Sequence, residues 1–175
     1  MLFFFLIRIG VFVGRKSSFF FANPRLKCLK HLFSTNSMES VSLKPLKLGS
    51  VEIGFPIVQA ALSGYSDWPM RVIARRLGAP YSICEVMLDE FLVNLKERKR
   101  TSHFLHISDE EHPVGGQLMG AEPEQFALGA MKLVEAGFDV IDINFGCPVK
   151  KVLGRCRGGF HLSQPEVALE IVKQT

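Results

Sequence analysis

The chain has 175 residues, 47% hydrophobic and 22% charged, proportions of a folded globular protein rather than a disordered or fibrous one. That length suits one domain with enough chain to bury a core. The four cysteines, at 28, 84, 147 and 156, are too few and too irregular for a disulfide scaffold. They form no CxxC pair of the kind a structural zinc site uses, and no metal is expected.

The net charge of +4 is unevenly placed. Residues 1–38 hold Arg8, Arg15, Lys16, Arg25, Lys27 and Lys30 and no acid, whereas 39–175 hold 15 basic and 17 acidic residues. The body is therefore mildly acidic and carries no electrostatic footprint for RNA or DNA. The leader is a separate object. Eight of the fifteen Phe lie in its first 33 positions, and Met1 to Val13 is nearly all apolar. Such a run falls short of the ~20 residues of a membrane span, so no membrane partner is expected. Arg8 interrupts the run and the other basic residues follow it, the reverse of a secretory signal. Two readings stay open. The leader is a mitochondrial transit peptide, on its basic, acid-free, Ser-containing composition, or an upstream extension with Met38 as the working start. Residues 39–175 form the folded domain either way, cytoplasmic unless the leader is a true transit peptide.

Leu46-Lys47-Leu48 and Val51-Glu52-Ile53 flank Gly49-Ser50 and predict a hairpin. A buried strand follows over 56–61, then the turn Ser63-Gly64-Tyr65-Ser66 and a helix from Asp67 through Leu77. Pro69 sits in that helix's first turn and Gly78 stops it. Residues 81–87 predict a second strand. A helix over 88–99 has Leu88, Phe91, Leu92 and Leu95 at i, i+3, i+4 and i+7, and its KERKR end reads as solvated. A third strand spans 112–119. The helix over 122–135 takes Phe126, Met131 and Val134 as its apolar face, with Gly137 closing it. A fourth strand spans 139–143, a Gly/Lys/Arg loop 145–163, and a last helix 165–173.

Strand then helix, four times over, predicts an α/β protein with a parallel sheet and right-handed crossovers. A doubly wound nucleotide binder usually shows GxGxxG or GxxxxGK[ST] after its first strand, and LSGYSDWPM has neither. Each unit takes about 28 residues, so eight would need about 225, close to a TIM (β/α)8 barrel. Residues 56–175 are then its first half, ending after the fourth unit.

In such a barrel chemistry sits where the strands end. Ser63, Glu85, Gln117, Asn144 and Cys147 are the unusual polar residues there, from four different strands. Cys147 lies in a stiff Gly–Pro turn, and an ordinary thiol pKa of about 8.5 leaves it protonated near neutrality and able to donate a proton. The alternative is a small buried residue. Gln117 ends an otherwise apolar strand, as a ligand-binding amide or as a capped strand end, and Gly115-Gly116 leaves room for close approach. The glycine-rich basic stretch 150–159 grips phosphate or is a solvated loop. Cys84, mid-strand, reads as core.

SGYSDWPMR, GGQLMG and DINFGCPVKKVLGRCRGGFHLSQPE resemble the corresponding blocks of the tRNA-dihydrouridine synthase family, over about residues 43–175. The resemblance implies a barrel that holds FMN, takes electrons from NADPH and reduces selected uridines of tRNA to dihydrouridine. It assigns FMN contacts to Ala61, Leu62, Ser63 and Gln117 and proton donation to Cys147. Asn144 is placed near flavin and uracil, with Lys151 and Arg155 in the catalytic loop near substrate. Ala61 stands where that family usually has Pro, and Gly159-Phe160-His161 where it usually has Ser-Ala-Leu. The family's later strands and its C-terminal tRNA-gripping helical domain supply further FMN and tRNA contacts. Residues 1–175 alone are therefore expected to hold flavin poorly and to leave tRNA unmodified. The alternatives are another FMN barrel reductase, of the dihydropyrimidine or dihydroorotate dehydrogenase kind, and a half-barrel without catalysis.

Overall fold

The computed structural model describes residues 43–96 and 101–175, all within the unit Ser42–Thr175. The leader 1–38, with its two readings, and the basic residues 97–100 lie outside the described residues. The predicted hairpin is present: β1 (Leu46–Leu48) pairs antiparallel with β2 (Val51–Gly54), and its turn is made by Gly49 at φ +59°.

The strand predicted over 56–61 shrinks to a single parallel bridge, Gln59 to Ser82. Pro56 has no N–H to give a ladder, and the Ile57 N–H turns back on the Phe55 carbonyl at 2.7 Å. Helix α1 (Trp68–Arg76) starts as expected, with the Asp67 carboxylate accepting the Met70 N–H at 3.2 Å and Pro69 in the first turn. Gly78, at φ +100°, ends it.

The predicted second strand is broken into β3 (Ser82–Ile83) and β4 (Met87–Leu88), both parallel to β5 (Val114–Met119). Ser82 pairs with Val114 and Met87 with Leu118, so this strand holds one residue more than β5 over the same span. The surplus is a bulge, and it turns the Glu85 N–H off the ladder to the Ser66 carbonyl at 3.3 Å. Helix α2 (Asp89–Val93) is far shorter than the predicted 88–99. Asn94 ends it: its backbone and side-chain N–H groups both donate to the Glu90 carbonyl, at 3.2 and 2.8 Å.

Helix α3 (Pro123–Ala136) ends at Gly137 in the left-handed region. Its buried face is Phe126, Gly129, Ala130 and Leu133; Met131 and Val134, expected inward, are more than half exposed. The stripe is rotated because Gly129 lets α3 approach the sheet, where a Cβ would stand 3.3 Å from the Leu118 methyls. β6 (Val140–Ile143) pairs parallel with β5 from Gly115–Val140 to Leu118–Ile143. The predicted loop 145–163 contains a helical turn, α4 (Lys150–Leu153), and a 3-10 turn over Gly158–Ser163 before α5 (Pro165–Gln174).

The result is a parallel sheet whose neighbours follow chain order: the Gln59 bridge, then β3 and β4, then β5, then β6. Its core joins Val114 and Leu118 of β5, Leu92 of α2, Phe126 and Leu133 of α3, and Ile171 of α5, all fully buried. Cys84 belongs to the same cluster, as expected. Among the described residues no helix is long and apolar enough to cross a membrane.

Candidate active site

At the C-terminal ends of β5 and β6 the side chains form one hydrogen-bonded chain. The Gln117 amide N–H donates to Asp142 at 2.6 Å, and the Asn144 amide N–H donates to the Gln117 carbonyl oxygen at 3.1 Å. The Asn144 carbonyl oxygen in turn accepts the backbone N–H groups of Gly146 and Cys147, both at 3.1 Å. Each Gln117 and Asn144 orientation is thereby determined, since the amide's two ends face opposite demands. Beyond its two bonds, Gln117 keeps one N–H and one lone pair for a ligand.

Cys147 is held from both sides of its own backbone. Its N–H goes to Asn144, and its carbonyl accepts the Gly159 N–H at 3.0 Å. Gly158 packs so close that a Cβ there would stand 2.9 Å from both the Cβ and the carbonyl oxygen of Cys147. Pro148 follows, and the Cys147 side chain is half-buried. The residue is thus a fixed, reachable thiol at the mouth of the sheet.

The 61–63 segment reaches this mouth by another route. Ser63 and Leu62 are exposed and Ala61 half-buried on the turn after the Gln59 bridge. The Ser66 hydroxyl accepts the Leu62 N–H, and the Gly64 N–H donates to the Glu85 carboxylate at 2.7 Å. The turn is therefore tied to the bulge between β3 and β4, and it makes no hydrogen bond to Gln117, Asn144 or Cys147. Lys150, Lys151 and Arg155 are exposed on α4 and the turn after it. The structure thus joins Gln117, Asn144 and Cys147 directly, sets 61–63 on the far side of the β3–β4 strand, and leaves Lys151 and Arg155 on the surface of the loop.

Gly115 and Gly116 serve packing rather than ligand approach. A Cβ on Gly115 would collide with the Tyr81 hydroxyl, and one on Gly116 would lie 3.0 Å from Leu133 and Phe138. Cys84 lies directly behind the site. Its sulfur accepts the Gln117 backbone N–H at 3.3 Å, and burial pushes its thiol up to about 11. It is an inert neighbour.

Asp142, Gln117's partner, was not among the residues singled out from sequence. The available signal was the alternation Asp142, Asn144 in IDINFG, two polar side chains two apart that share one face of a strand. No local pattern marks a second group. Asp89, the first residue of α2, is 1% exposed; burial raises its carboxyl above the usual range, against opposing N–H bonds from Glu90 and Ala121 and the Arg157 charge. Arg157 donates to Glu90 at 2.7 Å, and the buried His161 ring bonds the Gly120 carbonyl through Nε2 at 2.9 Å.

A family model described as Dihydrouridine synthase (Dus) matches residues 58–175, which include every one of these residues. The chain belongs to the dihydrouridine synthase family. This family member is 31% identical over 127 residues to tRNA-dihydrouridine synthase B of Xanthomonas axonopodis pv. citri, covering 73% of this chain and 38% of that relative. It is 29% identical over 158 residues to the Probable tRNA-dihydrouridine synthase 1 of Synechocystis, covering 90% of this chain and 44% of the relative. With tRNA-dihydrouridine synthase B of Pseudomonas aeruginosa the identity is 31% over 127 residues, 73% of this chain and 38% of the relative. The chain thus spans about two fifths of the length of these curated relatives.

Proposed function

We propose that residues 56–175 are four consecutive units of a (β/α)8 barrel that acts as an FMN-dependent tRNA-dihydrouridine synthase, with NADPH as reductant. The strand order supports the barrel. Every parallel neighbour is the next strand in the chain, whereas a doubly wound sheet reverses direction around its first strand.

The carrying observation is the chain from Asp142 through Gln117 and Asn144 to the Cys147 backbone. Its donor set suits a flavin. The free N–H and lone pair on Gln117 match the alternating acceptors and donor along the pyrimidine edge of an isoalloxazine, and the exposed Leu62 beside half-buried Ala61 offers it an apolar surface. Gln117 and residues 61–63 would hold the ring. Reduced FMN, when bound there, would supply the hydride for C6 of the uracil. Negative charge then develops toward C5 and O4, and Cys147, held by Asn144 and Gly159, delivers a proton to C5. The resulting thiolate needs no strong base to form, and such acid assistance is typically worth about 10²–10⁴ in rate. Asn144, with its amide N–H on Gln117 and its oxygen on the Cys147 backbone, ties the residue that would hold the ring to the backbone of the acid. Lys150, Lys151 and Arg155 place exposed positive charge on the loop that follows Cys147, where a tRNA backbone would pass. The uridine must leave its stack to enter, at about a few kcal/mol.

The test is in cells. With Cys147→Ala in the protein as naturally expressed, dihydrouridine at the tRNA position that depends on this gene should fall at least ~10²-fold by nucleoside mass spectrometry. Undiminished dihydrouridine would overturn the reading. A reductase of free pyrimidines would instead leave tRNA unchanged while altering the free bases.

A further inference from the structure

The chemistry above leaves Arg157, Glu90 and His161 without a role, although all three lie at the strand ends that form the mouth. Arg157 is 7% exposed, and its guanidinium reaches across 67 residues to Glu90, at the start of α2. Its Nε has no partner in the structure. Beneath the pair lies the buried Asp89, whose carboxylate takes the Glu90 N–H at 2.7 Å and packs against Gly120. His161, four residues after Arg157, donates through Nε2 to the Gly120 carbonyl, since a carbonyl only accepts; its Nδ1 is buried and unpartnered. The same ring meets Phe145 edge-on at 5.1 Å. The turn over 157–161 is therefore fastened at each end, to the residues following β4 and to those following β5. Between the fastenings lie Gly158 and Gly159, the residues that press on the Cys147 backbone and bond its carbonyl.

We propose that Arg157 is a positioning residue whose pairing with Glu90 seats the Gly158–Gly159 backbone against Cys147 and so sets access to that thiol. The pair is one-sided. Arg157 is buried and hydrogen-bonds one carboxylate, Glu90, whose side chain is 63% exposed, so water competes for that end only, while the buried Asp89 charge also acts on it. That asymmetry lets the fastening open without unfolding the sheet behind it. Its meaning for catalysis rests on the reading of Cys147 as proton donor, but the readout below needs neither flavin nor tRNA. A failure of either idea is therefore separable from a failure of the other.

The chain carries its own controls. Cys84, at 1% exposed, reports global opening, and Cys156 is exposed throughout. The intact chain and its variants are alkylated with iodoacetamide, and the rate at each cysteine is read by peptide mass spectrometry. Arg157→Met should speed alkylation of Cys147 about tenfold, and the surface change Glu90→Gln should do so to a smaller extent, as expected for loss of one charge-assisted hydrogen bond. Arg157→Lys, which keeps the charge, should bring the rate back toward that of the unsubstituted chain. The double variant should match Arg157→Met alone, because the two residues act as a unit. Throughout, Cys84 should stay slow. An unchanged Cys147 rate in both single variants overturns the proposal, as do strictly additive effects or a rise at Cys84 in step with Cys147.

Discussion

Two buried arginines fasten loops around this sheet, and they do so differently. Arg71 of α1 has a partner on every guanidinium nitrogen: Nε donates to Glu111 at 2.7 Å, and the two terminal nitrogens donate to the Ser66 and His106 carbonyls at 3.0 and 2.9 Å. Glu111 answers in kind, taking the Ser108 N–H at 2.8 Å as well, and both side chains are 2% exposed or less. This arginine locks the turn after Gln59 to the loop before β5. Arg157 hydrogen-bonds one carboxylate, which is mostly in water, and has an orphaned nitrogen. A closed network rigidifies what it touches, whereas a partly satisfied one leaves its segment near a balance point. The first is built for stability and the second for adjustment of the thiol loop.

The sharpest way to break that contrast is to cut each network at one residue. Glu111→Gln or Arg71→Met leaves an uncompensated buried charge and should lower unfolding free energy by about 3–5 kcal/mol in urea titrations. Arg157→Met, which removes a buried guanidinium whose hydrogen-bonded partner is solvated, should cost less, about 1–2 kcal/mol, by the same assay. Equal losses would erase the distinction. Next in size is a pH effect from the buried thiol behind Gln117. Cys84 titrates near 9 when unfolded and at about 11 when folded, so the unfolded chain ionises first. Its stabilising contribution is complete below pH 9 and is lost as pH climbs toward 11, by about 2–3 kcal/mol in total. Tyr81, also raised by burial, acts in the same direction at still higher pH. Cys84→Ala should flatten the first part of that decline.

A smaller effect is expected at Gly158, whose φ of +59° is strained for any other residue and whose missing Cβ makes room for Cys147. Gly158→Ala should lose about 1–3 kcal/mol and shift Cys147 alkylation, with Cys84 unaffected. The smallest is a control for ion pairing as such. Arg76 and Glu110 meet at 2.7 Å beside the Arg71 network but in water, and Arg76→Ala should leave the urea midpoint unchanged within error. A clear shift there would mean that exposed pairs also carry this region.

Much of this architecture was legible in the chain. Hydrophobic periodicity and the Pro and Gly punctuation located α1, α3 and α5 to within a residue or two. The Gly–Cys–Pro turn, the amide of Gln117 and Asn144 marked three residues that the fold does bring into one hydrogen-bonded chain. The misses have physical causes. Residues 56–61 are apolar enough for a strand, yet a ladder also needs N–H groups, and Pro56 and the turned-back Ile57 provide none. Met131 and Val134 fit an apolar stripe as well as Ala130 and Leu133 do, and only the close approach at Gly129 chose between them. Sequence alone determined the order of elements, the parallel sheet and the polar residues at the strand ends, because those follow from local propensity and period. Tertiary structure decided that Asp142 orients Gln117 and that Glu90 meets Arg157 across 67 residues. No local pattern encodes a partner that distant, since the attraction between two charges acts only once the sheet has brought them together.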